Sequence, residues 1–217
     1  MKSYYIKLYL FFLCSLLCCK NVNHNNATCL ESDEDCQGVC FGEDLSCYGC
    51  MDSLAINFDS QATINANICL FTDSQSNKKC GNQSTMQCFY FFESVKINDQ
   101  DIDSLDYVFA MFDTKCIGIR NWDLSQCNGM CDLPVMGNDG SIYTEGYINN
   151  NSRPEFYIYD HSLNKIYSTI TKGKIIIDNE ICTESADENP EKCLDWQLNG
   201  FILIEDLVAN KVIVNFN

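Results

Sequence analysis

The chain has 217 residues, 46% hydrophobic and 12% aromatic, with 14 basic against 30 acidic side chains for a net charge of −16. That apolar content excludes a simply disordered chain, and so acidic a surface repels phosphate backbones, which excludes nucleic acid as a partner. Its 16 cysteines bound the compartment as well as the construction, because a cysteine-dense chain is built for oxidising surroundings.

In chain order, Lys2 and Lys7 mark a basic start, and Leu8-Tyr9-Leu10-Phe11-Phe12-Leu13-Cys14-Ser15-Leu16-Leu17 is almost wholly apolar. The run has the length of a signal-peptide core and falls well short of the roughly 20 residues that cross a bilayer. Lys20, Asn21, Asn23, Asn25 and Asn26 then stop any apolar helix. Residues 1–19 are therefore expected to be a cleaved secretory peptide, with an uncleaved anchor or acylation at Cys18 or Cys19 as the alternatives. Loss of two lysines takes the net charge from −16 to −18. No later run is apolar enough to span a bilayer, so no transmembrane segment is expected after signal removal. The expected location is secreted, extracellular or at the cell surface.

Residues 20–87 read as a cysteine-rich mini-module and linker. Cys29, Cys36, Cys40, Cys47, Cys50, Cys69, Cys80 and Cys88 crowd into a stretch dominated by turn residues. Too little apolar surface is present to fold it on a core alone, so covalent staples must hold it. Cys116, Cys127, Cys131, Cys182 and Cys193 complete the disulfide candidates. The pairing is open, and an odd number would leave one free thiol or an intermolecular bridge. Cys36-x3-Cys40 and Cys47-x2-Cys50 have spacings that zinc sites use, but export favours pairing over metal binding. Cys47-Tyr48-Gly49-Cys50 lacks the βαβ context of a redox site. Asn26, Asn82 and Asn150 each open an N-x-S/T tripeptide and are glycosylation candidates in a eukaryotic host.

From residue 88 to 217 the texture changes to short apolar runs with strand character. They are Cys88–Phe92, Tyr107–Phe112, Cys116–Ile119, Leu133–Met136, Phe156–Tyr159, Lys165–Tyr167, Ile175–Ile177, Phe201–Ile204 and Lys211–Val214. The short polar turn after Phe112 suggests a hairpin, and Asn138-Asp139-Gly140 after Met136 is a second hairpin signal. No stretch holds helical periodicity over three turns. The expected fold is mainly β: an antiparallel β-sandwich preceded by a small disulfide-rich, turn-dominated module.

Two stretches carry a resemblance. Asp35-Cys36-Gln37-Gly38-Val39-Cys40-Phe41-Gly42 resembles the D-C-x-G-x-C-x-G elements of large secreted proteins. Gly49-Cys50-Met51-Asp52, Ala55-Ile56-Asn57-Phe58-Asp59, Ala62-Thr63 and Cys69 are similar to the G-C-x-D-x-x-A-x-N-F-D-x-x-A-T…C repeats of adhesin-like proteins from marine bacteria and protists. Asn65-Ala66-Asn67-Ile68 stands where those repeats have an acidic Asp-Asp-Gly-Ser. Residues 88–208, with Asp106-Tyr107-Val108-Phe109-Ala110-Met111-Phe112, Cys116-Ile117-Gly118 and Pro154-Glu155-Phe156-Tyr157, resemble the G-D-x-V-A-A-F…C-x-G β-sandwich units of surface-exported proteins. Leu105 replaces the usual glycine there, and Asn149-Asn150-Asn151-Ser152 replaces a Gly-Asp. The resemblance implies display and attachment, with no settled activity.

Three kinds of chemistry have candidate residues in the chain. Asp99, Asp101 and Asp103 alternate, and Asp106 follows, which offers a calcium ion several carboxylates from one loop; the EF-hand pattern fails at Ser104 and Ala110. No cofactor is expected apart from that calcium ion. Trp122, Tyr143 and Tyr147 lie near expected turns and could stack on sugar rings, as could Tyr157, Tyr159 and Tyr167. A hydrolase would depend on Asp160-His161-Ser162, whose neighbours on a strand end point to different faces. The expected function is a non-enzymatic extracellular structural or adhesion protein with a protein or polysaccharide partner. The alternatives are a calcium-dependent, lectin-like surface module and a secreted hydrolase.

Overall fold

A computed structural model of the chain describes residues 35–40, 42, 44–72, 79–182 and 190–213. The expected signal peptide, His24, Asn26 and Cys29 lie outside them. The chain divides into two compact units, Met1–Leu45 and Ser46–Asn217.

In the first unit Asp35 organises a tight turn. Its Oδ1 accepts the N–H groups of Gln37 and Val39, and its Oδ2 accepts that of Asp44. Those bonds hold its carboxyl below the usual range, the Val39 N–H first. Gly42 is required because a Cβ there would meet the Asp35 carboxylate.

The second unit contains the strands β1 (Tyr48–Gly49), β2 (Ile64–Asn65), β3 (Gln87–Ile97), β4 (Gln100–Asp101), β5 (Tyr107–Phe112) and β6 (Lys115–Asn121). They are followed by β7 (Asp132–Met136), β8 (Glu155–Asp160), β9 (Lys165–Ile177), β10 (Glu180–Ile181) and β11 (Phe201–Ile213). The fold is mainly β, as expected. Among the described residues nine strands form one sheet in the order β4-β3-β11-β9-β8-β5-β6, with β7 also on β3 and β10 also on β9. The strands are thus hydrogen-bonded into one continuous sheet, in which β9 and β11 are the longest at 13 residues each. Each contains what the apolar runs suggested as two short strands. Register shifts between Ile204 and Asp206 and between Ala209 and Lys211 bend the pair.

Pairing is antiparallel except at β3–β11, where Phe201–Ile204 run alongside Phe89–Phe92 in parallel, and at the short β1–β2 pair. The β5–β6 hairpin forms as expected. The Asp139-Gly140 hairpin does not: β7 pairs with β3 and β8 with β5 and β9, so residues 137–154 are a long connection. Side-chain packing across the sheet outweighs a local turn preference here.

Alternation supplies the main core. Cys88, Tyr90 and Phe92 of β3, Val108 and Ala110 of β5, Phe156 and Ile158 of β8, and Ile202, Ile204 and Leu207 of β11 point into one apolar cluster. The intervening residues Phe109, Met111, Tyr157 and Tyr159 point the other way, and they are buried too. Ile68, Leu70 and Cys80 cover them. That second layer explains why β5 and β8 read as continuous apolar runs: both faces are buried.

The covering segment is built by the repeat-like motif. Cys50 and Cys69 are disulfide-bonded. Buried Asn57 donates Nδ2 to the Ile68 carbonyl and accepts the Leu70 N–H on Oδ1, both at 2.8 Å. Asp52 and Asp59 accept the N–H groups of Leu54 and Gln61. Asp52, Asn57 and Asp59 are thus occupied in shaping the loop.

Candidate binding cleft

The connection from β7 to β8 leaves the sheet at Gly137 and is locked by one carboxylate. Asp139 Oδ1 accepts the Thr144 hydroxyl at 2.6 Å and the Ser141 N–H at 3.0 Å, and Oδ2 accepts the Thr85 N–H at 3.1 Å. The Thr144 hydroxyl, then the backbone N–H groups, hold the Asp139 carboxyl far below the ordinary aspartate range. Within this loop Ile142 and Tyr143 stand out into solvent, Tyr143 at 67% exposure. Tyr147, by contrast, is buried, and its hydroxyl oxygen accepts the Asn82 N–H at 3.0 Å.

Tyr143 and Tyr147 meet the cysteine-rich segment across a cleft of about 400 Å³. Leu70 and Met111 line it on the apolar side; Asn67, Lys79, Lys115 and Glu145 supply polar groups. Two disulfides reach into it through Cys69 and Cys116, the latter bonded to Cys80. Composition hides Lys79 and Lys115, because a lone lysine in sequence looks like any solvated charge; the signal available was the scarcity of basic residues in so acidic a chain.

The other expected site residues fall elsewhere. Trp122 is 3% exposed and packs on Phe92 with ring centroids 5.8 Å apart. It is a core residue and presents no face to a ligand, because the N–H of Trp122 bonds the Asp106 carbonyl and turns the ring inward after β6. Tyr157 and Tyr159 are buried beneath the cysteine-rich segment; burial pushes the Tyr159 hydroxyl up to about 12. Tyr167 is partly buried on β9.

Asp99, Asp101, Asp103 and Asp106 do not form a calcium cage. Asp99, Asp101 and Asp103 are exposed along the β3–β4 hairpin and the turn after it. Asp106 is buried, its Oδ2 accepting the Asp103 N–H and its Oδ1 the His161 N–H. Burial raises its pKa despite those bonds. Among the described residues no three His, Cys, Asp or Glu side chains converge where a metal ion could sit. Only Asp101 of the alternating set lies in a strand; Asp99 sits in the β3–β4 turn with φ of 62° and Asp103 in the turn that follows β4, so the three do not line one continuous strand face.

Nor do Asp160, His161 and Ser162 form a relay. Ser162 donates to Asp160 at 2.7 Å, while the His161 ring packs edge-on to Tyr159.

Among the described residues the candidate cysteines are bonded with one exception, and Cys29 lies outside those residues. Cys50–Cys69, Cys80–Cys116, Cys127–Cys131 and Cys182–Cys193 are bonded, and Cys36, Cys40 and Cys47 are also in disulfides. Cys88 is a free thiol, fully buried among Tyr90, Phe92 and their neighbours, and burial raises its pKa. Of the glycosylation candidates, Asn150 is exposed, whereas the Asn82 amide nitrogen, where a glycan would attach, donates to the Tyr143 carbonyl.

No family model matches the chain, and neither a curated protein nor a solved structure matches it.

Proposed function

We propose that this chain is an exported, non-enzymatic attachment module: a β core, braced by disulfides, that offers a shaped surface to an extracellular protein or polysaccharide. The observation that carries this reading is the cysteine chemistry. Among the described residues every cysteine but Cys88 is bonded, and Cys80–Cys116 ties a loop to β6. Disulfides at this density form and persist in oxidising compartments. Among the described residues no helix is long and apolar enough to cross a membrane. The apolar run at Leu8–Leu17 and the resemblance to secreted, adhesin-like repeats point the same way.

The test is export of the full chain from a secretory host, followed by non-reducing peptide mapping. The expected product lies outside the cytoplasm and carries the Cys50–Cys69 and Cys80–Cys116 links. A chain retained in the cytoplasm with reduced thiols would overturn the proposal.

A second reading, carbohydrate recognition, is favoured by one observation. Of the six aromatic residues named in sequence as able to stack on sugar rings, Tyr143 alone is exposed, and it lines a cleft.

A further inference from the structure

We infer that the cleft beside Tyr143 binds an acidic saccharide, a sugar ring bearing a carboxylate or sulfate, and does so without a metal ion. This rests on the attachment reading and gives it a ligand class.

The charge distribution is the first support. The chain carries only 14 basic residues against 30 acidic ones. Lys96, Arg120 and Arg153 are taken up by ion pairs with Asp206, Asp132 and Asp195. Lys79 and Lys115 come from separate segments to line one cleft, and neither is in an ion pair among the described residues. Two ammonium groups lining one concavity attract an anion locally, against the net negative charge of the chain. Glu145 shares the lining, which leaves one net positive charge and an acceptor for hydroxyl groups.

Shape and polarity are the second support. At about 400 Å³ the cleft has the size of a small-molecule site, which runs from about 300 to 1,000 Å³. Its lining joins an apolar patch, Leu70 and Met111, to an amide at Asn67 and an exposed aromatic ring at Tyr143. A pyranose has that same division: a C–H face that packs on an aromatic ring, and hydroxyl groups that bond amides and carboxylates. A carboxylate or sulfate on the ring completes the match through charge-assisted bonds to lysine.

The third support is rigidity. Cys69 and Cys116 are each fixed by a disulfide, and Asp139 pins the loop that carries Tyr143. A site held this way is formed before its ligand arrives, which lowers the ordering cost of binding.

The experiment uses the full chain, exported and oxidised. Titration calorimetry compares oligogalacturonate, neutral oligogalactose, dextran sulfate and polyglutamate, each with calcium and with a chelator. Saturable binding of oligogalacturonate or dextran sulfate is expected, at least tenfold tighter than neutral oligogalactose or polyglutamate and unchanged by the chelator. The two anionic sugars separate carboxylate from sulfate preference. Lys79→Gln and Lys115→Gln should each weaken binding several-fold, and Tyr143→Ala at least tenfold, while Tyr143→Phe retains it. All four changes are at partly or fully exposed positions, and unaltered near-ultraviolet circular dichroism would verify the fold. Equal binding of neutral sugar or polyglutamate, dependence on calcium, indifference to these substitutions, or no binding at all would each overturn the inference. An exported, disulfide-bonded chain that binds no acidic sugar sinks this inference alone; a reduced cytoplasmic chain sinks the attachment reading itself.

Discussion

Asp139 shows how one side chain can set the shape of a binding surface. Its carboxylate gathers the Thr144 hydroxyl and the N–H groups of Ser141 and Thr85, so residues 139–144 close on themselves and hold Tyr143 outward. The same bonds favour the ionised form and depress the folded-state pKa below the ordinary value of 3.8. A depressed acid contributes stability that is fully present above the unfolded value and is lost as pH falls through the folded one. Acid unfolding should therefore show a loss beginning below about pH 4 that Asp139→Asn reduces. Urea melts of both proteins between neutral and acid pH measure it, and parallel curves would show that the carboxylate does not couple to folding. Trp122 and Cys88 make the complementary point. An indole beside Asn121 and Asp123 reads as a loop residue, and a cysteine in a disulfide-rich chain reads as a bonded one. Both are core residues because the strands beside them bring them inward, where Cys88 behaves as a small hydrophobe.

At the level of elements, β6 lies close to β7. A Cβ at Gly118 would overlap the Pro134 carbonyl, so the two strands come together only where a side chain is missing. Gly118→Ala should destabilise the protein by about 1–3 kcal/mol through overpacking, read as a lowered urea midpoint at unchanged slope. A neutral result would mean that the approach is looser than the backbone positions imply. β9 turns by a different device. Gly173, with φ of 75°, takes the left-handed conformation that an L side chain rarely adopts, and the Glu205 carboxylate accepts the Lys174 N–H that follows at 2.9 Å. That bulge lets one strand read in sequence as two. The apolar runs at Lys165–Tyr167 and Ile175–Ile177 are its ends, and the polar residues between them belong to the same strand.

Across the second unit, the disulfides and the outer apolar layer fasten the cysteine-rich segment to the sheet. Cys80–Cys116 joins the chain just before β3 to β6, and the Tyr159 hydroxyl lies 3.1 Å from the Ile56 carbonyl. Replacing both cysteines, Cys80→Ser with Cys116→Ser, should cost about 2–5 kcal/mol and loosen the cleft while the inner cluster around Tyr90 and Ile202 persists. Two-step urea unfolding, followed by near-ultraviolet and far-ultraviolet dichroism together, would register it. A single transition at the native midpoint would show that packing alone holds the segment.

The mainly β class, the β5–β6 hairpin and the bonding of the mini-module's described cysteines other than Cys88 were legible in the sequence. Alternation, β-branched and aromatic runs and cysteine density are local quantities that survive without a fold. Tertiary structure decided what those local signals leave open. It made β9 and β11 single long strands, paired β3 with β11 in parallel, buried Trp122 and exposed Tyr143. It also brought Lys79 and Lys115 to one cleft from segments that nothing in their spacing connects. Such outcomes depend on which faces meet across long loops, and that is settled by the burial of two apolar layers at once rather than by any stretch of chain alone.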